Sequence, residues 1–141
     1  MDSDSAPVWR EQRQRAVEAH ARAQQDAKDA RTAEARRLIA DFVRAASERG
    51  VAPTALTAPA YNGRGRYRTK LRGWYLDPRR SMAVDTGGEF YVLGVPNSLK
   101  ARLVGADPAP QPPPLVIGEG GRDGESIALK DLLQRRLDAG S

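Results

Sequence analysis

Basic side chains occupy every second position of one short stretch of this chain. The stretch runs from residue 64 to residue 72, and its cations are Arg64, Arg66, Arg68, Lys70 and Arg72. Successive side chains of a β-strand point to opposite faces, so the five cations are predicted to share one face. Four of them are arginines, whose planar fork of donors matches phosphate oxygens better than a lysine does. The pattern indicates the binding of a polyanion and does not indicate a reaction.

The charge distribution supports this interpretation, because the positive excess is local. The chain has 23 Lys and Arg residues against 18 Asp and Glu residues, a net charge of +5. Residues 61–80 hold seven basic residues and one acidic residue, Asp77, which gives +6 and leaves −1 for the rest. Arg79 and Arg80 extend the predicted site beyond the alternating stretch. We expect the partner to be nucleic acid, either RNA or DNA, or another polyanion.

Trp74 distinguishes two versions of this site. In a regular strand Trp74 lies on the basic face beside Arg72 and Lys70, and cations next to an aromatic ring are how proteins hold single-stranded nucleic acid. Gly73 is where a β-bulge would fall, and a bulge would move Trp74 into the core and leave a purely ionic strip. A third interpretation is that the cations only protect an edge strand from pairing with another chain.

Two other motifs are incomplete versions of enzyme sites. Asp85-Thr86-Gly87 resembles the catalytic loop of aspartic proteases, which need two such aspartates, so the resemblance implies a symmetric dimer. The glycine-rich segment 118–124 lies between a predicted strand and a predicted helix, where backbone N–H groups could hold a nucleotide phosphate. It lacks the GxxxxGK[ST] pattern, and Glu119 and Asp123 would repel an anion. Both enzymes are distant alternatives, and we expect a non-enzymatic protein without a cofactor.

Composition excludes several further kinds of site. The chain has no Cys, which excludes disulfides, zinc fingers, iron–sulfur sites and thiol catalysis. It has one His, His20, so neither a Ser-His-Asp triad nor a His-based metal site is expected. No stretch approaches ~18 consecutive apolar residues, and the N-terminus lacks the apolar centre of a signal peptide. We expect a cytoplasmic protein without a membrane partner.

A long helix is predicted over residues 8–49, because no Pro or Gly occurs between Pro7 and Gly50. Gly50 is placed to end this helix in a left-handed conformation, with Val51 contacting Ala46 as in a Schellman motif. An apolar stripe near the C-terminal end is predicted to pack on the core. It consists of Leu38, Ile39, Phe42, Val43 and Ala46.

The first part of this helix has only alanines as a stripe. They are Ala16, Ala19, Ala23, Ala27, Ala30 and Ala33. Their roughly heptad spacing could support a partner helix or self-association through residues 8–37, and the other interpretation is a solvated extension. We therefore divide the chain into a charged, Ala-rich helical extension, 1–37, and a small α+β domain, 38–141. The alternative function is that of a protein–protein interaction adaptor that uses the N-terminal helix.

The segment after the helix is predicted to be a loop, 51–63, followed by a β-meander. Its strands cover 66–76, 81–85 and 89–93, with tight turns between them. The strand 89–93 is apolar on both faces and is therefore predicted to be central. Residues 99–104 form either a fourth strand or a short helix, and the preceding Pro96-Asn97-Ser98 favours the helix.

The C-terminal part begins with a Pro-rich connector, 107–114, and a short strand at 115–117. A terminal amphipathic helix is predicted to start at a cap formed by Ser126 or Asp123 and to end at Gly140. Its apolar residues are Leu129, Leu132, Leu133 and Leu137. The predicted fold class is α+β, with a long N-terminal helix, an antiparallel β-meander of three to four strands and a C-terminal amphipathic helix.

Overall fold

The long N-terminal helix is present and ends as the sequence predicts. The computed structural model describes residues 2–118 and 125–140, and the side chains from residue 6 onward. Helix α1 spans Asp2–Arg49, so it begins six residues before the predicted start. Gly50 has a φ of 73°, a left-handed conformation that glycine adopts at little cost. The N–H of Val51 donates to the carbonyl of Ala46 at 2.8 Å, and that of Gly50 to Ser47 at 3.3 Å, which completes the Schellman motif.

Only the C-terminal part of α1 packs on the rest of the chain. Ala35, Ile39, Phe42 and Ala46 are buried, at the spacing of one helix face. Residues 6–31 are exposed throughout, a length of roughly 39 Å at 1.5 Å per residue. Among the described residues, no helix is both long enough and apolar enough to cross a membrane.

The sheet has four antiparallel strands in the order β1-β2-β3-β4. They are β1 (Thr54–Pro59), β2 (Arg66–Tyr75), β3 (Met82–Asp85) and β4 (Phe90–Val92). The architecture is therefore the predicted α+β arrangement of a long helix, an antiparallel sheet and a C-terminal helix.

Strand β1 corrects the prediction that residues 51–63 form a loop. It pairs with β2 from Thr54↔Gly73 to Pro59↔Arg66, and its Leu56 is buried in a cluster with Tyr91. Pro59 ends the strand at the edge of the sheet, where a missing N–H costs no ladder hydrogen bond. Prolines at positions 53 and 59 made this segment resemble a loop in the sequence.

Strand β4 lies at the opposite edge of the sheet, so the prediction that it is central was wrong. It is apolar on both faces because the sheet has a buried cluster on each side. Phe90 joins the cluster of Trp74 beneath the helices, and Tyr91 joins the cluster of Leu56 on the other face. The outer edge of β4 is partly covered by the Pro-rich segment, since the N–H of Gln111 donates to the carbonyl of Phe90 at 2.8 Å.

The segment 99–104 is a helix, as its entrance motif favoured. Helix α2 spans Leu99–Val104, and the Ser98 side chain accepts a hydrogen bond from the N–H of Ala101 at 3.3 Å. This is the usual contact of a serine at a helix N-cap. None of the residues of α2 is buried.

The C-terminal helix starts later than the predicted cap. Strands β5 (Val116–Ile117) and β6 (Ile127–Ala128) pair with each other, and α3 (Leu129–Ala139) follows directly. Ser126 is not the cap, because residues 127–128 are extended, and the first helical N–H donates to the carbonyl of Leu115 at 2.7 Å. Asp123 lies outside the described residues. Gly140 ends α3 as predicted, and the leucines of α3 pack in the cluster that contains Phe42.

Candidate functional site

The cations in the middle of β2 occupy the exposed positions of an alternating segment. Arg68, Lys70 and Arg72 are exposed, whereas Thr69 and Leu71 between them are half-buried. This alternation agrees with the sequence pattern over residues 68–72.

The pairing of β2 with β1 is irregular within residues 68–72, and not at Gly73, where the sequence suggested a bulge. Ala55 pairs with Arg72 and Thr57 with Arg68, so residues 69–71 lie opposite Leu56 alone. Thr69 stabilises the irregularity, because its hydroxyl donates to the carbonyl of Leu56 at 2.6 Å and accepts from the N–H of Leu71 at 3.1 Å. Gly73 is in regular pairing on both sides. It has a different role, because a Cβ there would collide with the carbonyl oxygen of Val84 on β3.

Trp74 belongs to the core, although it was included in the predicted binding site. Its side chain is 2% exposed, and its indole N–H donates to the carbonyl of Val51 at 2.9 Å. Its ring meets that of Phe42 edge-on, with the centroids 5.7 Å apart. The tryptophan is buried because α1 and the segment that follows it cover this end of β2, without a bulge at Gly73.

Arg66 is held by contacts within the chain. Its Nε donates to the hydroxyl of Thr57 at 2.6 Å, and one Nη donates to the carbonyls of Thr57 and Arg80 at 2.7 and 2.8 Å. The guanidinium groups of Arg66 and Arg80 each lie 5.7 Å from the centroid of the Tyr75 ring, as in cation–π pairs. Burial alone would raise the pKa of Tyr75, but the hydrogen bonds to Thr57 and the charge of Arg66 lower it below 10.0. Arg66 therefore connects β1, β2 and the turn before β3.

Helix α2 lies against the first half of β2. The N–H of Ser98 donates to the hydroxyl of Tyr67 at 3.3 Å, at the start of α2. At its end, the N–H of Ala106 donates to the carbonyl of Arg68 at 2.7 Å. Gly105 allows this approach, since its φ is 90° and a Cβ there would lie 2.8 Å from the same carbonyl oxygen. The two attachments bring Lys100 and Arg102 of α2 beside the cations of β2.

A cleft of about 700 Å³ lies between the start of β2 and α2, and we call it the β2–α2 cleft. Arginines from three segments line it: Arg64 from the loop before β2, Arg66 and Arg68 from β2, and Arg102 from α2. Its other lining residues are uncharged, so among the described residues no carboxylate contributes to it. The Nη of Arg68 donates to the carbonyl of Leu103 at 3.5 Å, a long contact that leaves other donors available. Like charges at one surface attract anions and repel each other when none is bound.

A second cavity of about 490 Å³ adjoins the first, because Arg68 lines both. Lys70 of β2 and Lys100 of α2 also line it, together with one acid, Asp107. The ion pairs among the described residues are formed by Arg15, Arg36, Arg44 and Arg49, so none of them neutralises the cations of these cavities.

The structure separates the predicted site residues into groups. Arg64, Arg66 and Arg68 line the β2–α2 cleft, and Lys70 lines the cavity beside it. The others lie elsewhere: Arg72 donates to the carbonyl of Pro53 at 3.2 Å, Arg79 and Arg80 are exposed in the turn before β3, and Trp74 is in the core.

Sequence reasoning missed Lys100 and Arg102. The helix entrance before α2 predicted the helix itself, but no local signal placed that helix beside β2. The proximity of these cations to Arg68 is a tertiary contact across more than 30 residues of chain.

The carboxylate of Asp85 is engaged in the hairpin between β3 and β4. Its Oδ1 accepts from the N–H groups of Gly87 and Glu89 at 3.0 and 2.9 Å, and its Oδ2 accepts from the hydroxyl of Tyr91 at 2.9 Å. Burial and the adjacent Asp85 raise the pKa of Tyr91 to about 12. These are the contacts of a carboxylate that stabilises a turn.

Neither His20 nor the described part of the glycine-rich segment contributes to a second candidate site. His20 is exposed on α1, and residues 119–124 of the glycine-rich segment lie outside the described residues. Within the described part of the chain, no group of three or more His, Asp or Glu side chains is arranged to hold a metal ion. Comparison of the chain with protein-family models, with curated proteins and with solved structures finds no match.

Proposed function

We propose that this chain is a small non-enzymatic module that binds nucleic acid through the β2–α2 cleft. The observation that carries the proposal is that Arg64, Arg68 and Arg102, from a loop, a strand and a helix, line one cleft without a carboxylate. A phosphate in the cleft would relieve the repulsion between these groups and match their donor geometry. Cations continue into the adjoining cavity at Lys70 and Lys100, which favours an extended anion over a single small one.

The salt dependence of binding tests the proposal. Fluorescence anisotropy of labelled 20-nucleotide oligomers, titrated with the full chain at several salt concentrations, gives the slope of log K against log[salt]. About five phosphate contacts predict a slope of roughly −3.5 for a single strand and roughly −4.5 for a duplex. A wild-type chain that binds neither form in low salt would contradict the proposal.

A matched pair of triple variants assigns the binding to the cleft. Replacing Arg64, Arg68 and Arg102 with Ser is expected to weaken binding at least tenfold and to flatten the slope by about 2, because three phosphate contacts are lost. The control removes the same charge from three exposed arginines of α1, namely Arg22, Arg31 and Arg37. Equal losses in the two variants would mean that net charge and not the cleft determines binding. Arg66 is left unchanged in both, because it also holds β1 to the turn before β3.

A second candidate function, that of an interaction adaptor, is favoured by the exposed part of α1. Val8, Trp9 and Val17 are each more than half exposed there. The alanine stripe of Ala16, Ala23 and Ala30 lies roughly 130° around the helix axis from the docked residues. A partner helix on that stripe would therefore not compete with the packing of α1 on its own domain.

The adaptor hypothesis predicts a charge-sensitive association. If the chain pairs with itself through this stripe, sedimentation velocity of the wild type shows a dimer, and Ala16→Glu with Ala23→Glu converts it to a monomer. Ala21→Glu, which lies off the stripe, serves as the control and is expected to leave the dimer intact. A monomer at high concentration would leave only a different protein as the partner of this helix.

A further inference from the structure

Tyr61 is an exposed aromatic residue in the loop that leads into the cleft. It does not itself line the cleft, but it directly precedes Asn62, which does, and the residue is 72% exposed. Its ring lies against Gly94, where a Cβ would approach the ring to 3.2 Å. Its N–H donates to the carbonyl of Val95 at 2.9 Å. The loop thus holds this ring in place and still leaves most of it in contact with solvent.

Exposed apolar side chains also occur on α2, which forms one wall of the cleft. The most exposed large apolar residues among those described are Tyr61, Leu99, Leu103 and Val104, each 68–72% accessible. Three of them belong to α2, and Leu99 itself lines the cleft. Apolar surface in contact with water is unfavourable, and its accumulation beside a cationic cleft indicates a ligand with both apolar faces and negative charge.

We propose that the cleft binds single-stranded nucleic acid, with an unpaired base stacked on Tyr61 and the adjoining phosphates paired with Arg64 and Arg102. This inference rests on the proposed function and specifies its ligand. The faces of bases in a duplex are covered by their neighbours, so a duplex offers phosphates to the arginines but no base to the ring. An unpaired base has free apolar faces, which can contact the ring of Tyr61 and the side chain of Leu99. Trp74 is buried, and Tyr67, which lines the cleft, is half-buried with its hydroxyl accepting from the N–H of Ser98. Tyr61 therefore offers the most exposed aromatic ring next to the cleft.

The experiment compares single strands with a duplex of the same sequence and length. Labelled oligo-dT, oligo-U and a blunt duplex are titrated with the wild-type chain, Tyr61→Ala, Tyr61→Phe and Trp9→Ala at one salt concentration. Trp9 is the matched control, since it is also an exposed aromatic residue, 59% accessible, but lies near the start of α1. Circular dichroism and urea unfolding verify that the exposed substitutions leave the fold unchanged.

The expected result is that both single strands bind at least tenfold more tightly than the duplex. Tyr61→Ala is expected to weaken single-strand binding about 5- to 150-fold, the range of one lost base stack, and to leave duplex binding unchanged. Tyr61→Phe and Trp9→Ala should bind as the wild type does. A preference shared by oligo-dT and oligo-U would identify the base and phosphate, and not the 2′-hydroxyl, as the recognised groups.

Two results would overturn the inference and are distinguishable from each other. If the wild type binds duplex and single strands equally, or if Tyr61→Ala binds single strands normally, the stacking role is wrong while the cleft remains a nucleic-acid site. If the wild type binds none of the three probes in low salt, the proposed function fails as well. The apolar and cationic surface would then have to serve a partner of another class, such as an acidic protein.

Discussion

At its C-terminal end, β2 is covered by α1 and by the chain that follows it, whereas its N-terminal half lies against the short helix α2. Trp74 at the covered end is among the most buried residues, whereas Lys70 in the middle of the strand is exposed. Both are even-numbered residues of the same strand, and β-alternation alone would have given them similar environments. The difference shows that the layer above the strand, and not the strand's own pattern, determines which residues are core and which are free to bind.

Trp74→Ala should have the largest effect, because it removes an aromatic side chain from the covered end of β2. We expect a loss of about 3–5 kcal/mol in the free energy of unfolding, since a cavity forms and the carbonyl of Val51 loses its donor. Urea unfolding followed by far-UV circular dichroism measures it. A loss below about 1 kcal/mol would mean that this end of the strand is not part of the core.

The two tyrosines with shifted pKa values lie in opposite electrostatic surroundings, Tyr75 beside Arg66 and Tyr91 beside Asp85. The pKa of Tyr91 is about 12 in the folded chain, compared with about 10 when unfolded, so its stabilisation is complete below pH 10. Between pH 10 and 12 the unfolded chain binds fewer protons, so stability falls by about 1.4 kcal/mol per pH unit, or roughly 2–3 kcal/mol in total.

The lowered pKa of Tyr75 acts in the opposite direction, since its contribution is present above the unfolded pKa. Unfolding free energies of the wild type and Tyr91→Phe, compared at each pH, isolate the contribution of Tyr91. If the unfolding free energies of the wild type and of Tyr91→Phe differ by the same amount from pH 9 to pH 12, the pKa of Tyr91 is not raised by folding.

Arg66→Ala should have an intermediate effect, because Arg66 is half-buried and joins β1 to the turn before β3. It removes the donors to Thr57 and to the carbonyl of Arg80, and we expect a loss of about 1–2 kcal/mol. Arg66→Lys should recover little of this loss, since an ammonium cannot reproduce the forked contacts. Both values come from urea unfolding. If Arg66→Ala is as stable as the wild type, Arg66 has no structural role and is as available for binding as the exposed cations of β2.

Lys70→Ser should have the smallest effect on stability, because this side chain is exposed and forms no ion pair among the described residues. Its unfolding free energy should lie within about 0.5 kcal/mol of the wild-type value. Its affinity for an oligonucleotide should nevertheless fall, if the cavity beside the cleft contacts a phosphate. If Lys70→Ser lowers the free energy of unfolding as much as Arg66→Ala does, the cations of this strand cannot be divided into structural ones and ones available for binding.

Local patterns in the sequence were sufficient for the elements whose boundaries depend on backbone chemistry. The end of α1 followed from Gly50 and Val51, because only glycine enters the left-handed conformation readily and a hydrophobic residue usually follows it. The strands β2 and β3 followed from alternation and turn residues. Strand β1 was missed, because its prolines resemble those of a loop and its small residues carry little apolar signal.

The candidate site was only partly predictable. The alternating cations were visible because they are adjacent in sequence, and three of them line the β2–α2 cleft. Arg66 could not be distinguished from Arg68, since the contacts of Arg66 with Thr57 and Arg80 join segments that are distant along the chain. The roles proposed for Arg102 and Tyr61 depend on the attachment of α2 to Tyr67 and of the Tyr61 loop to residues 94–95, which no local pattern records.

The sequence by itself determined the α+β class, the long helix with its docked end, and the concentration of positive charge between residues 61 and 80. These properties depend on residue type and periodicity, which act over one or two turns of chain. The tertiary structure alone decided that Trp74 is buried, that β4 is an edge strand, and that arginines from three segments line one cleft. Each of these depends on which helices and strands pack against one another, and that packing consists of contacts between residues that are far apart in the chain.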